Sequence, residues 1–149
     1  MKICVLASGS KGNSTLIQTE YTNTLIDVGM SNLYIEKKLI CLGIDPDKID
    51  SVFITHTHID HVAGLKVFVK KHNPTVYMTK KMYDELSQTI PFNNYVILED
   101  DINISDLSIK YFKTSHDAVD SVGYVFSNKK PMGIKIASSP PKIPMVQIY

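Results

Sequence analysis

The chain has 149 residues, 44% apolar and 21% charged, with a formal net charge of +1. This is the size of one domain with a sizeable core, and the composition excludes disordered, collagen-like and disulfide-rich classes. The balanced charge gives no overall bias toward nucleic acid, membrane or acidic partners, although lysines can still cluster locally.

The run Met1-Lys2-Ile3-Cys4-Val5-Leu6-Ala7 is too short for a secretory signal and reads as a strand over 3–7. It stops at the loop Ser8-Gly9-Ser10-Lys11-Gly12-Asn13-Ser14. Strands are expected over 15–19 and 24–28, joined by a tight hairpin at Tyr21-Thr22-Asn23. Ser31 offers an N-cap, Leu33, Ile35, Leu39, Ile40 and Leu42 follow at helical spacing, and Gly43 closes that helix. A strand over 51–54 runs into a histidine cluster. A second helix is expected over 61–72, broken by Asn73-Pro74. A strand over 75–78, a helix capped by Thr79 to about residue 88, and a turn at 91–94 come next.

Strands are then expected over 95–98, 107–113, 122–126 and 132–137. Alternation early and strands late predict an α/β layered domain. After Ala137, three of the seven prolines fall at 140, 141 and 144, so 138–149 reads as an atypical proline-rich tail, extended or disordered.

No stretch reaches membrane-span length, and the expected location is the cytoplasm. Cys4 and Cys41 make neither a disulfide framework nor a zinc knuckle. Both are expected to be buried core thiols in a reducing compartment.

Three of the five histidines lie within six positions, in Thr55-His56-Thr57-His58-Ile59-Asp60-His61. The cluster follows an apolar strand and precedes an amphipathic helix, where α/β proteins place chemistry. Imidazoles at i and i+2 on an extended turn can reach one zinc, iron or similar ion. Asp60 and His61 can turn toward a second ion, and Asp60 can instead orient water or carry a proton. A paired-metal site generates hydroxide near neutral pH and clamps the oxygens of a displacement.

His116, directly after the strand over 107–113, is placed to complete a three-nitrogen site with His56 and His58. His72, beside Lys70 and Lys71 at a helix end, reads as structural or solvated. Asp27 closes an apolar strand; it is either an ordinary turn residue or a carboxylate that holds the histidine loop in place. The loop over 8–14 lacks Walker spacing. It is either a flexible turn or a place where Ser10, Lys11 and Asn13 touch a substrate phosphate.

At these residues the chain resembles the metallo-β-lactamase-fold superfamily. His56, His58, Asp60 and His61 match its His-x-His-x-Asp-His signature, Asp27 its early aspartate, and His116 its next ligand histidine. The opening over 6–14, together with 25–29, 55–61 and 121–124, is similar to the YycJ/WalJ group. The resemblance covers about residues 1–137. It implies an αββα layered sandwich, present as the N-terminal portion only, and an incomplete domain over 1–137. It also implies a divalent metal, zinc or manganese, with two ions: His56, His58 and His116 on the first, Asp60 and His61 on the second. The implied activity is phosphodiester hydrolysis by a metal-activated water, of the 5′-to-3′ DNA exonuclease kind, with DNA or another phosphodiester as substrate.

The chain departs from that pattern. It continues from 133–137 into Ser138 and Ser139 where the family has Thr-Asp, no Asp or Glu follows Asp120, and no His follows His116. The bridging carboxylate and the last ligand of the second metal are therefore absent, and one ion is the expectation for this chain. Two alternatives accompany the nuclease reading. One is a truncated or frame-shifted fragment with an incomplete, inactive site, paired with itself or with a partner chain. The other is a small-molecule ester, thioester or cyclic-phosphate hydrolase on the same fold.

Overall fold

A computed structural model of the chain describes residues 1–115 and 120–128, and the backbone of 132–137 and 145–148. The first sheet contains β1 (Lys2–Ala7), β2 (Ser14–Gln18), β3 (Asn23–Ile26), β4 (Ser51–Phe53), β5 (Thr75–Met78) and β6 (Tyr95–Ile97), in that spatial order. β1 to β3 are antiparallel neighbours, and β3 to β6 run parallel. The second sheet is antiparallel, in the order β11-β10-β9-β8-β7, from β7 (Ile102–Ile104), β8 (Leu107–Lys113), β9 (Val122–Asn128), β10 (Met132–Ala137) and β11 (Met145–Ile148).

Helices α1 (Asn32–Cys41), α2 (Ile59–Val62), α3 (Leu65–His72) and α4 (Lys80–Leu86) lie in the crossovers between parallel strands. Successive right-handed crossovers between strands in sequential order place their helices on one face of the sheet. Leu25, Val52 and Val76 are in register on β3, β4 and β5 and fully buried. Their neighbours Ile26, Phe53 and Tyr77 point to the opposite face. There Phe53 stacks on Tyr77 at 4.5 Å and meets Tyr124 and Phe126 of β9 edge-on at 5.1 and 5.3 Å. β4 is thus covered on both sides, as parallel strands require. Burying a side chain of this size contributes on the order of 2–3 kcal/mol.

The layers are helix, sheet, sheet, as the N-terminal portion of an αββα sandwich requires. No second helical layer occurs among the described residues. Across the sheets, the fully buried Tyr124 hydroxyl donates to the Ile54 carbonyl at 2.7 Å, just where β4 ends. Burial, and then the nearby Asp27 charge, push that phenol well above its usual pKa.

Several local expectations change. The helix expected over 61–72 is two helices, α2 and α3, separated at Ala63-Gly64. Gly64 abuts Met30, where a Cβ would lie 2.0 Å from the carbonyl oxygen, and its N–H donates to the Val28 carbonyl at 2.9 Å. The chain turns there to meet that strand end.

The α1 boundaries follow their sequence signals, with the Ser31 hydroxyl accepting from the Tyr34 N–H. Cys41, expected in the core, is exposed, and Cys4 is half-buried. α1 buries Ile35 and Leu39, and Cys41 lies about 200° around the helix from Leu39. Cys4 lies on β1, an edge strand of the first sheet. Within the segment expected to be an extended or disordered tail, the backbone of 145–148 forms β11, antiparallel to β10. No helix among the described residues is long and apolar enough to cross a membrane.

Candidate metal centre

The site is assembled where β3 and β4 end. β3 stops at Ile26 because Asp27 adopts φ 59°, a left-handed conformation that aspartate tolerates better than most residues. The turn directs the carboxylate sideways onto the histidine loop. Asp27 Oδ1 accepts the Thr55 N–H at 2.8 Å, and Oδ2 accepts the Thr55 hydroxyl at 2.6 Å. Oδ2 also lies 2.6 Å from His61 Nδ1. Asp27 is only 3% exposed, so three donors compensate its desolvation.

Asp27 thus bonds the Thr55 backbone, the Thr55 hydroxyl and the His61 ring at once. With Nδ1 resting on that carboxylate, His61 turns Nε2 toward Asp60 and Asn13. Burial lowers the pKa of this ring, but the hydrogen bond and charge of Asp27, with the charge of Asp60, outweigh it and hold the imidazole above its ordinary value. A cation bound at Nε2 displaces that proton.

Past Thr55, the buried His56 and exposed His58 rings meet edge-on at 4.8 Å, and the His56 ring lies 3.9 Å from that of His61. Ligand atoms of His56, His58 and Asp60 all fall within 4.8 Å of one another. Two imidazoles and a carboxylate converging in this way suit zinc or a similar divalent ion. Asp60 Oδ2 is also 3.5 Å from His61 Nε2, so this carboxylate stands between the His56/His58 pair and His61.

The loop over 8–14 packs against the histidine turn through Asn13. Asn13 is 5% exposed and fully engaged. Its N–H donates to the Asp60 carbonyl at 2.7 Å, and its amide nitrogen lies 3.2 Å from both Asp60 Oδ2 and His61 Nε2. Its side-chain oxygen accepts the Gly9 N–H at 3.1 Å. The Asn13 side chain, one of the three candidates for a phosphate contact, is thus turned toward Asp60 and His61. Ser10 and Lys11 are exposed. Gly29 completes the joint: a Cβ there would lie 1.8 Å from the Asp60 carbonyl oxygen and 2.6 Å from the Asn13 nitrogen.

His116 lies outside the described residues. The ends of its loop are described: the Thr114 N–H donates to the Ser121 carbonyl, and the Val122 N–H donates to the Thr55 carbonyl, both at 2.9 Å. That loop thus begins and ends beside the histidine turn. His72 is structural, set between Glu36 and Asp47 and away from the cluster.

Sequence reasoning missed the bracing roles of Asn13, Thr55 and Gly29. The Gly directly after Asp27-Val28 was the one local signal, because such a glycine marks a close backbone approach. The Asn13 contacts span 47 and 48 residues and leave no local trace.

A family model described as the metallo-beta-lactamase superfamily matches residues 7–128. The chain belongs to the metallo-β-lactamase superfamily. This superfamily chain is 30% identical over 129 residues to exodeoxyribonuclease YycJ of Bacillus anthracis. It is 30% identical over 132 residues to exodeoxyribonuclease WalJ of Streptococcus pneumoniae serotype 2 strain D39. These matches cover 83% and 84% of the chain, and 49% of each relative. The chain thus spans about half the length of the curated relatives it matches. Among solved structures, the MIM-2 metallo-beta-lactamase superposes with a TM-score of 0.76 at 15% identity, over 91% of this chain and 57% of that one. At that identity the likeness establishes the fold alone.

Proposed function

We propose that this chain is the metal-holding portion of a phosphodiesterase of the 5′-to-3′ DNA exonuclease kind, in the cytoplasm, with zinc or manganese as its ion. The observation that carries the reading is the convergence of His56, His58 and Asp60, braced by Asp27 and Asn13. The two relatives named as exodeoxyribonucleases support the substrate class. His56, His58 and His116 hold the first ion, and Asp60 and His61 serve a second position. One ion is the content expected for this chain by itself. A divalent ion there supplies Lewis acidity toward phosphoryl oxygen and a lowered pKa for water.

The protein's own groups do the rest. Asp27 fixes the His61 tautomer and Asn13 holds Asp60 in place. Ser10 and Lys11, exposed on the loop that Asn13 anchors, contact the substrate phosphate.

Elemental mass spectrometry on protein purified with zinc or manganese tests the metal half of this reading. One ion per chain is expected, and folded protein with none would overturn it. A panel of 5′-labelled DNA, small esters and a cyclic phosphate tests the rest. Release of nucleotides from the 5′ end is expected. Turnover of small substrates alone would favour the small-molecule hydrolase, and a loaded but inert chain would favour an incomplete site that needs a second chain.

A further inference from the structure

In the histidine turn, His56 is held firmly. The residue is 2% exposed, and its Nδ1 lies 3.0 Å from the Thr55 hydroxyl, which Asp27 itself anchors. The turn is fixed upstream by the Tyr124 hydroxyl on the Ile54 carbonyl and downstream by the His61 N–H on the His58 carbonyl. His58 is exposed and gives α2 no side-chain cap. Between the two imidazoles stands Thr57, whose hydroxyl donates to Glu85 Oε2 on α4 at 2.9 Å.

α4 is a rigid support for that contact. Its Met82 and Leu86 are buried in the core, and Thr79 caps it by accepting the Met82 N–H. The contact joins residues 28 positions apart and reaches the turn from another element.

We propose that Glu85 is a positioning residue for the metal centre: accepting the Thr57 hydroxyl, it holds the His56-Thr57-His58 turn so that both imidazoles reach one ion. The inference rests on the metal-centre reading and names a residue outside the metal motif that tunes it. Exposed hydrogen bonds add little to global stability, so the effect is expected in metal affinity and coordination rather than in folding. Partners that orient ligands in this way act on affinity by about tenfold or more.

The test is the zinc dissociation constant of the whole chain, measured by competition with a chromophoric chelator, for the parent, E85A, E85Q, T57V and T57V/E85A. E85A is expected to weaken binding by about tenfold, while E85Q keeps an acceptor oxygen and stays near the parent. T57V is expected to match E85A, and the double variant to be no weaker than either. The ligand-field bands of the cobalt-substituted protein should change in E85A and not in E85Q, with the melting temperature of the metal-free protein unchanged throughout.

Parent-like affinity in E85A overturns the inference and leaves the metal centre standing. Weakening in E85Q equal to that in E85A, or additive losses in the double variant, would mean that Glu85 acts through its charge and would also overturn it. A parent that binds no zinc removes the metal-centre reading, and this inference with it.

Discussion

His61 at the metal centre and His72 at the seam between α1 and α3 both lie against carboxylates, yet their second nitrogens face different surroundings. His61 rests Nδ1 on Asp27 at 2.6 Å and turns Nε2 toward Asp60 and Asn13, beside His56. His72 has Nδ1 at 2.5 Å from Asp47 and Nε2 at 2.9 Å from Glu36, with its side chain 4% exposed. His61 has a carboxylate at Nδ1 and turns Nε2 into the histidine cluster, whereas His72 has a carboxylate at each nitrogen outside it. His72 instead ties α3 to α1 and to the 3₁₀ turn at Pro46–Lys48.

The sharpest way to break this contrast is Asp27→Ala. The substitution leaves the buried Thr55 N–H and hydroxyl without their acceptor and frees His61 to rotate. A loss of about 3 kcal/mol in urea unfolding is expected, together with loss of the bound ion by elemental analysis. His72→Gln should lower stability without changing metal content. Equal metal loss in both variants would mean that the two histidines are not distinct in role.

Gly29→Ala probes the same joint through backbone packing. Its Cβ would meet the Asp60 carbonyl oxygen at 1.8 Å, and neither that backbone nor Asn13 can yield without moving the ligands. About 1–3 kcal/mol of destabilisation is expected, with weaker zinc binding measured on the folded fraction. Parent-like zinc affinity would show that Asp60 tolerates displacement and that the joint is only a packing feature.

These contacts also mark what the sequence could and could not reveal. The histidine cluster was legible because its members are adjacent in the chain, and α1 because Ser31, the apolar spacing and Gly43 are all local signals. The β5, β8 and β10 boundaries followed from short apolar runs. The Asn13–Asp60 brace and the Thr57–Glu85 contact join segments far apart in sequence, where no spacing rule reaches. The break at Gly64 was hidden because the apolar pattern continues through it; the reason for it is Met30, on another segment. β7 has three residues with an exposed Asn103 at its centre, too short and too polar in the middle for periodicity to register.

The smallest expected effect belongs to the seam and depends on pH. The Lys71 ammonium, then the Asn32 amide and the His72 ring, hold the Glu36 carboxyl at about 2, against its ordinary 4.5 and against the opposing influence of burial. Because the folded pKa is depressed, the contribution is complete above 4.5 and is lost as pH falls through about 2. Lys71 is 57% exposed and Asp47 69%, so solvent screens the cluster, and Glu36→Gln should cost under about 1 kcal/mol at neutral pH. Other carboxylates titrate in the same window, so the informative quantity is the difference between parent and variant urea midpoints at each pH. That difference should shrink between 4.5 and 2, while zinc content at neutral pH stays equal in the two proteins. A difference independent of pH would mean that the seam is held by shape rather than charge, and a fall in zinc content would tie it to the metal centre after all.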